Sequence, residues 1–319
     1  MGYPSKGGAS TNHSYHLGGT HCTVGHTMNI DTLVEDIYKT LEEGVERVDE
    51  DYREYGAEHA GVLEQRLAPN REDEPRRLRL SSIGKPCVRQ LWFGLHAHLH
   101  REPLRPATRL KFLYGDLVET MLRELARKSG HMVEGEQDEI LVNGIKGHRD
   151  CIIDGMLVDV KSASSYSFAK FKDGLRSEDD AFGYLTQLGS YLLGSRNDDR
   201  VTYKNEAAFL VIDKVSGALC LDRHTFTEED YVQLSDTIKT RREELAQGSP
   251  CPGRGFDSID QYKPNKKGWV NGNKKLGVNC SYCDFKAHCW PELRTFMYAG
   301  GKPVFLTHVE EVPNVPEIK

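Results

Sequence analysis

Apolar and polar positions along this chain alternate in runs that predict its elements one after another. From Asp31, Val34, Tyr38, Leu41, Val45, Val48, Tyr52 and Tyr55 recur at alternating spacings of four and three. That stripe predicts one amphipathic helix of about seven turns over 31–57, with Asp31 as N-cap and Gly44 as its weak point. Its apolar seam would dock on the chain's own core or on a second subunit. A second helix is expected over 109–129, striped by Leu113, Leu117, Met121, Leu122 and Leu125 and stopped by Gly130. Two short strands, 151–153 and 156–161, flank Asp154-Gly155, a strong hairpin-turn signal. A third helix over 180–193 sets Tyr184, Gln187 and Tyr191 on one face. A strand pair (207–213 and 218–224), a charged helix (228–247), a loop-like stretch (248–279) and a short strand (303–309) complete the pattern.

Composition adjusts this picture in a few places. The chain has 319 residues, 38% hydrophobic and 28% charged, which is enough to bury a substantial core. No apolar run approaches the roughly 20 residues that span a bilayer, and the first residues lack a signal-peptide core. An intracellular protein with no membrane partner is expected. The net charge of −6 argues against indiscriminate coating of nucleic acid but leaves room for a local basic groove. Residues 1–29 read as a flexible leader holding His13, His16, His21, His26 and Cys22, and residues 68–77 as a polar linker.

The chemistry concentrates in residues 147–161, GHRDCIIDGMLVDVK. If the two strands pair, Asp150, Asp159 and Lys161 converge at one end of a small sheet. Paired carboxylates bind a hard divalent cation, and an ammonium beside them polarises a phosphate or orients a water. The bland alternative is a solvent-exposed hairpin of alternating charge. Cys280, Cys283 and Cys289 form a C-x2-C-x5-C cluster with Cys87 far upstream, a set of thiols that suits zinc or an iron–sulfur cluster equally by spacing. Cys251 is a substitute ligand. For nucleic acid, Lys263, Lys266, Lys267, Lys274 and Lys275 form a basic loop with Trp269 available to stack on a base, and Arg76, Arg77 and Arg79 form a second patch.

Taken in order, these residues resemble the PD-(D/E)xK nuclease superfamily, and more closely its RecB-like branch, which carries a four-cysteine iron–sulfur cluster. CRISPR adaptation nucleases and the nuclease domain of AddB belong to that branch. Glu119 matches its first motif, where many relatives carry histidine. Asp150 matches G-x-x-D, Asp159-Val160-Lys161 matches (D/E)-x-K, and Gln187 to Tyr191 matches Q-x-x-x-Y. Cys87 with Cys280, Cys283 and Cys289 matches the split cluster ligands, so the resemblance spans residues 87–289. It implies an α/β restriction-endonuclease-like core, a mixed β-sheet flanked by helices, over residues 76–300. An N-terminal helical extension (30–75) precedes this core, and a C-terminal strand and tail (301–319) follow its cysteine-cluster segment.

By the same resemblance, Mg2+ or Mn2+ is held by Glu119, Asp150, Asp159 and the Val160 carbonyl, with Lys161 catalytic. Gln187 and Tyr191 position DNA, joined by Lys266, Lys267 and Trp269. The four cysteines hold a structural [4Fe–4S] cluster. The implied activity is a metal-dependent deoxyribonuclease, an exonuclease preferring single strands or ends. It would serve recombination, repair, phage DNA processing or CRISPR adaptation, beside recombination, replication or adaptation proteins, with self-association through 31–57. Two readings of other classes compete: a non-catalytic DNA-binding module of the same fold, and a zinc-stabilised scaffold or transcription protein.

Overall fold

The computed structural model describes residues 28–68, 77–248, 250–262, 270–299, 301 and 303–318. The histidine leader, Arg76, Lys263, Lys266, Lys267 and Trp269 lie outside the described residues.

The stripe that begins near Asp31 does not run as one helix. α1 (Leu33–Glu43) stops at Gly44, whose φ of 74° is a left-handed conformation that glycine tolerates, and α2 (Asp49–Leu67) starts beyond it. Nor does Asp31 cap the helix. Asn29 accepts the Asp31 N–H at the head of a short 3-10 turn, and the Asp31 carboxylate pairs with Arg223. α1 buries Leu33 and Ile37, whereas α2 buries nothing. Leu41, Val45, Val48 and Tyr52 are left exposed, so only the first turns of the predicted seam reach the core.

After α3 (Leu80–Ile83) and α4 (Val88–His96) comes α5 (Pro106–Lys128), opened by a proline at its first turn, where a missing N–H is harmless. Its fully buried face is Val118, Leu122 and Ala126, so the predicted leucine stripe is offset from the true contact line by about one position. Five strands follow: β1 (Val133–Glu134), β2 (Glu139–Val142), β3 (Ile145–His148), β4 (Cys151–Ile153) and β5 (Met156–Ala163). Two hairpins among them turn through residues in the left-handed region, Asn143-Gly144 between β2 and β3 and Asp154-Gly155 between β4 and β5.

α6 (Ser165–Lys172) leads to α7 (Tyr184–Ser195), which starts later than the pattern suggested. The reason is Asp180, whose carboxylate accepts the Tyr184 and Leu185 N–H groups and so caps the helix from outside it. The strand pair β6 (Glu206–Asp213) and β7 (Leu219–Thr225) precedes α8 (Glu228–Ala246), which opens on a Thr227–Asp230 capping box. The C-terminal part holds β8 (Ile259–Asp260), β9 (Lys274–Lys275), α9 (Val278–Ser281), α10 (Lys286–Cys289), β10 (Arg294–Met297), β11 (Pro303–His308) and β12 (Glu317–Ile318).

The protein is α/β, with a mixed sheet flanked by helices. Strand order in the main sheet is β1-β4-β5-β6-β7, with only the β5–β6 pair parallel. Parallel neighbours need a crossover, and α6 and α7 supply it. One face packs Ile152, Leu157, Phe209 and Val211 against Leu188 and Leu192 of α7 and Ile238 of α8. The opposite face packs Val158, Val160, Ala208 and Leu210 against Ile37 of α1 and Val118 and Leu122 of α5. A second sheet, β12-β10-β11-β9-β8, gathers the C-terminal strands. Part of the stretch read as loop therefore contributes strands, and the expected strand at 303–309 is hydrogen-bonded into this sheet as β11. Among the described residues no helix is long and apolar enough to cross a membrane.

Candidate active site

β5 carries the site. Its residues 156–160 are buried, and among them stands Asp159, with no exposed surface at all. Because side chains alternate along a strand, Asp159 and Lys161 share the face that Leu157 turns towards α7. A carboxylate there is costly unless it is paired. Asp159 Oδ1 accepts a hydrogen bond from Gln187 Nε2 at 3.1 Å, and the Lys161 ammonium forms an ion pair with its other oxygen. Gln187 Nε2 also donates to the Tyr191 hydroxyl at 3.2 Å, so α7 presents two polar side chains to the carboxylate.

Asp150 sits just before β4. Its Oδ2 accepts the Val160 N–H at 2.8 Å, which ties the entrance of the hairpin to the middle of β5. Glu119 arrives from α5, where its Oε1 accepts from Gln137 Nε2 at 2.7 Å and lies 3.8 Å from Arg123 Nη1. The structure thus brings together Glu119, Asp150, Asp159, Lys161, Gln187 and Tyr191, drawn from α5, the β4–β5 hairpin and α7.

Electrostatics reports the crowding. Burial, then the nearby Asp159 and Glu119 charges, hold the Asp150 carboxyl well above its usual range. Burial also raises Glu119, with Arg123 opposing and Asp159 reinforcing. Burial works to neutralise Lys161, but Asp159 and Asp150 outweigh it and the lysine stays a firmly protonated ammonium. Tyr191 is held neutral by burial and by the same carboxylates. Lys161 Nζ lies 5.3 Å from the centre of the Tyr184 ring.

Two participants escaped the sequence reading. Gln137 holds a left-handed backbone (φ 53°), donates its N–H to the Asp150 carbonyl at 3.3 Å and its side-chain amide to Glu119. It lies in a turn with no periodicity, and nothing in the residues 134–138 announces it. Arg123 is only 2% exposed and joins Glu58 of α2, Glu119 and the Asp150 carbonyl. Its position four residues after Glu119 was a legible helical pairing. Asp154 is a turn residue, as read, with its carboxylate held by His131 and the Met132 N–H.

The cysteines form a separate centre. Cys87 precedes α4, Cys280 lies in α9, Cys283 follows it and Cys289 ends α10. All four line one pocket with about 380 Å³ of empty space, part of it open to solvent, together with Arg89, Arg254 and Trp290. Gly255 closes one wall so tightly that a Cβ there would come within 3.1 Å of Cys87 Sγ. Burial pushes the Cys280 thiol up to about 11 and Cys283 to about 12, helped by neighbouring thiols. Cys251 stands outside this lining, its thiol directed to the Pro252 carbonyl. Of the basic loop, Lys274 pairs with Asp260 across β8 and β9.

Among the described residues no three His, Cys, Asp or Glu side chains are already drawn into a group that could hold a metal ion. The carboxylate oxygens are instead engaged by Val160, Gln187, Gln137 and Lys161, and the thiols stand around a cavity rather than on a point.

Fold and site together define an α/β protein with a buried carboxylate–lysine centre on a mixed sheet. No family model matches the chain, and no curated protein matches its sequence. Among solved structures it is similar to SSO0001, at 16% identity over 72% of this chain and 93% of that one, with a TM-score of 0.41. It is also similar to the alkaline exonuclease LHK-Exo from Laribacter hongkongensis, at 14% identity over 52% of this chain and 89% of that one (TM-score 0.33). LHK-Exo in complex with dAMP matches at 12% identity over 53% of this chain and 88% of that one (TM-score 0.36).

Proposed function

We propose that this protein is a metal-dependent nuclease that hydrolyses phosphodiesters of DNA, acting on single strands or ends. The observation that carries the reading is the meeting of Glu119, Asp150 and Asp159 beside a protonated Lys161 at one buried place. Three carboxylates facing the Lys161 ammonium and the Arg123 guanidinium leave an excess of negative charge, which adds to burial in raising the carboxyls of Asp150 and Glu119. Hard oxygen donors of this kind suit Mg2+ or Mn2+, held by Asp150, Asp159, Glu119 and the Val160 carbonyl. When bound, such an ion offsets phosphate charge and acidifies water.

The chain's own groups do the rest. Lys161 offers an ammonium to a non-bridging phosphate oxygen, where charge grows during in-line attack. Gln187 fixes the plane of the Asp159 carboxylate, and Tyr191 supports Gln187 from the next turn of α7. Arg123 and Gln137 orient Glu119 from two sides.

End-labelled single-stranded DNA incubated with Mg2+ or Mn2+ tests this. Wild type cleaves, Asp159→Ala and Lys161→Ala do not, and both variants still bind the strand. Equal cleavage by wild type and Asp159→Ala overturns the reading. Circular single strands, left intact, mark the activity as exonucleolytic.

A second reading concerns the cysteine pocket and rests on its four thiols lining one cavity. There Cys87, Cys280, Cys283 and Cys289 hold a structural [4Fe–4S] cluster that clasps α4 to the C-terminal sheet. Anaerobically purified protein is then brown and contains iron. Zinc in elemental analysis, without iron, assigns the smaller ion instead.

A further inference from the structure

We infer that a groove beside the candidate active site is the track for the phosphate backbone of a single DNA strand, an assignment that rests on the nuclease reading. The groove runs between the β2–β3 hairpin, α4, α8 and the segment 77–79, and spans about 2620 Å³ of space, part of it open solvent. β2 and β3 bury alternate residues, so Lys146 and His148 project together from the outer face of the hairpin. Arg79 is paired to Lys146 by a backbone bridge, and Arg77 lines the same wall. From α8, Arg242 reaches across and donates to the Asn143 carbonyl at the hairpin turn, a contact that leaves its charge unneutralised.

Arg77, Arg79, Lys146 and Arg242 therefore face Glu139, the single carboxylate among the described residues of the lining, on a chain whose net charge is −6. Glu139 pairs with Lys146, and three guanidinium groups remain for an anion. The groove is directional as well. Gln137 lines it, and the amide of that residue donates to Glu119 of the carboxylate centre. A polyanion lying along the arginines thus ends at Gln137, which links the lining to the carboxylate centre. Gln137 also lines a neighbouring cavity, where Asp51, Glu54, Glu58, Glu124 and Glu136 outnumber Arg123, Arg127 and Lys128, so that cavity offers a strand no cationic surplus like that of the groove. Regularly spaced phosphates match such a row of cations, and guanidinium groups pair with them bidentately.

Fluorescence anisotropy of a labelled oligothymidylate on the full chain in EDTA tests the assignment. Arg79→Ala/Arg242→Ala weakens binding about tenfold at about 100 mM salt and lowers the slope of log K against log salt by about 1.4, or about 0.7 per charge. Arg79→Lys/Arg242→Lys restores most of both. The same alanine variant keeps the wild-type far-UV circular dichroism spectrum and melting temperature, which shows that the fold is intact. Unchanged binding or salt slope overturns the groove, as does a lysine variant as weak as the alanine one. Polyglutamate competing as well as DNA also overturns it, because the partner is then an acidic peptide. Failure of the nuclease reading shows separately, as cleavage indifferent to Asp159→Ala.

Discussion

Arg149 and Asp150 are adjacent in the chain and belong to opposite kinds of charge network. The Arg149 guanidinium, 2% exposed, donates to Asp138 at 2.8 Å, Asp198 at 2.5 Å and the Ser195 hydroxyl at 3.1 Å. Arg200 donates to the same two aspartates. Two arginines face two carboxylates. Asp198 is accordingly held well below the usual range by Arg200 and Arg149, and in Asp138 those arginines outweigh a burial that works upward. One residue further along, Asp150, Glu119 and Asp159 outnumber Lys161 and Arg123, and burial first, then the neighbouring carboxylates, raises the carboxyls of Asp150 and Glu119. A balanced network closes on itself and holds structure. An unbalanced one stores repulsion that an added cation relieves, which is why perturbed acids mark functional sites.

The largest effect that could break this contrast is on stability. Replacing Arg149 by alanine removes a buried guanidinium and leaves the part-exposed Asp138 and Asp198 to Arg200 alone, and should lower the unfolding free energy by about 2–3 kcal/mol. Urea denaturation measures it, and a loss under about 1 kcal/mol removes the distinction between the two networks. Asp150→Asn should act in the opposite direction. The amide oxygen still accepts the Val160 N–H while one repelling charge disappears, so the metal-free protein gains about 1 kcal/mol at neutral pH as hydrolysis is lost. A destabilised, active Asp150→Asn would sink the comparison.

How much of this was legible beforehand follows from the same residues. The β4–β5 hairpin was readable because Asp154-Gly155 interrupts two apolar runs, and Asp159 was conspicuous as a carboxylate inside one of them. α5, β6, β7 and α8 were located to within a few residues by their periodicity. Local pattern failed where the deciding partner is distant. Asp180 caps α7 from outside it, Gly44 breaks the first helix by its backbone alone, and Gln137 acts from a turn. The β2–β3 hairpin was overlooked despite Asn143-Gly144, a turn as plain as the one that was read. The C-terminal sheet was hidden for another reason, since β8, β9 and β12 are two residues long and have no period to detect.

A smaller effect sharpens the contrast through pH. Asp150 and Glu119 have folded values above their ordinary ones, so the folded chain binds protons more tightly there than the unfolded chain. Their contribution to stability is fully present below about pH 4 and is lost as pH rises through the raised values. Asp138 and Asp198 have lowered values, so their contribution is present above about pH 4 and is lost as pH falls. Melting temperature against pH for Asp150→Asn/Glu119→Gln should therefore lose the decline on the neutral side and keep the one on the acid side. Mn2+ should also cancel the neutral-side decline in the wild type and release protons on binding. A wild-type curve insensitive to Mn2+ at neutral pH breaks this account.

The smallest effect tests how far the unbalanced network extends. α2 buries no residue and is held to α5 by ion pairs, among them Glu58 to the buried Arg123. Glu58 is partly exposed, so Glu58→Gln should change stability by only about 0.2–1 kcal/mol. Its electrostatic consequence points inward. Arg123 shares its charge between Glu58 and Glu119, and without Glu58 more of that charge acts on Glu119 and lowers its raised carboxyl. The acid limb of the pH–rate profile should then shift to lower pH, while binding of Mn2+ weakens a few-fold because an undivided guanidinium now opposes the cation. Glu58→Asp, which keeps the charge, should restore both. A Glu58→Gln variant with an unshifted profile would mean that Arg123 serves α2 alone, and that the unbalanced site ends at Glu119.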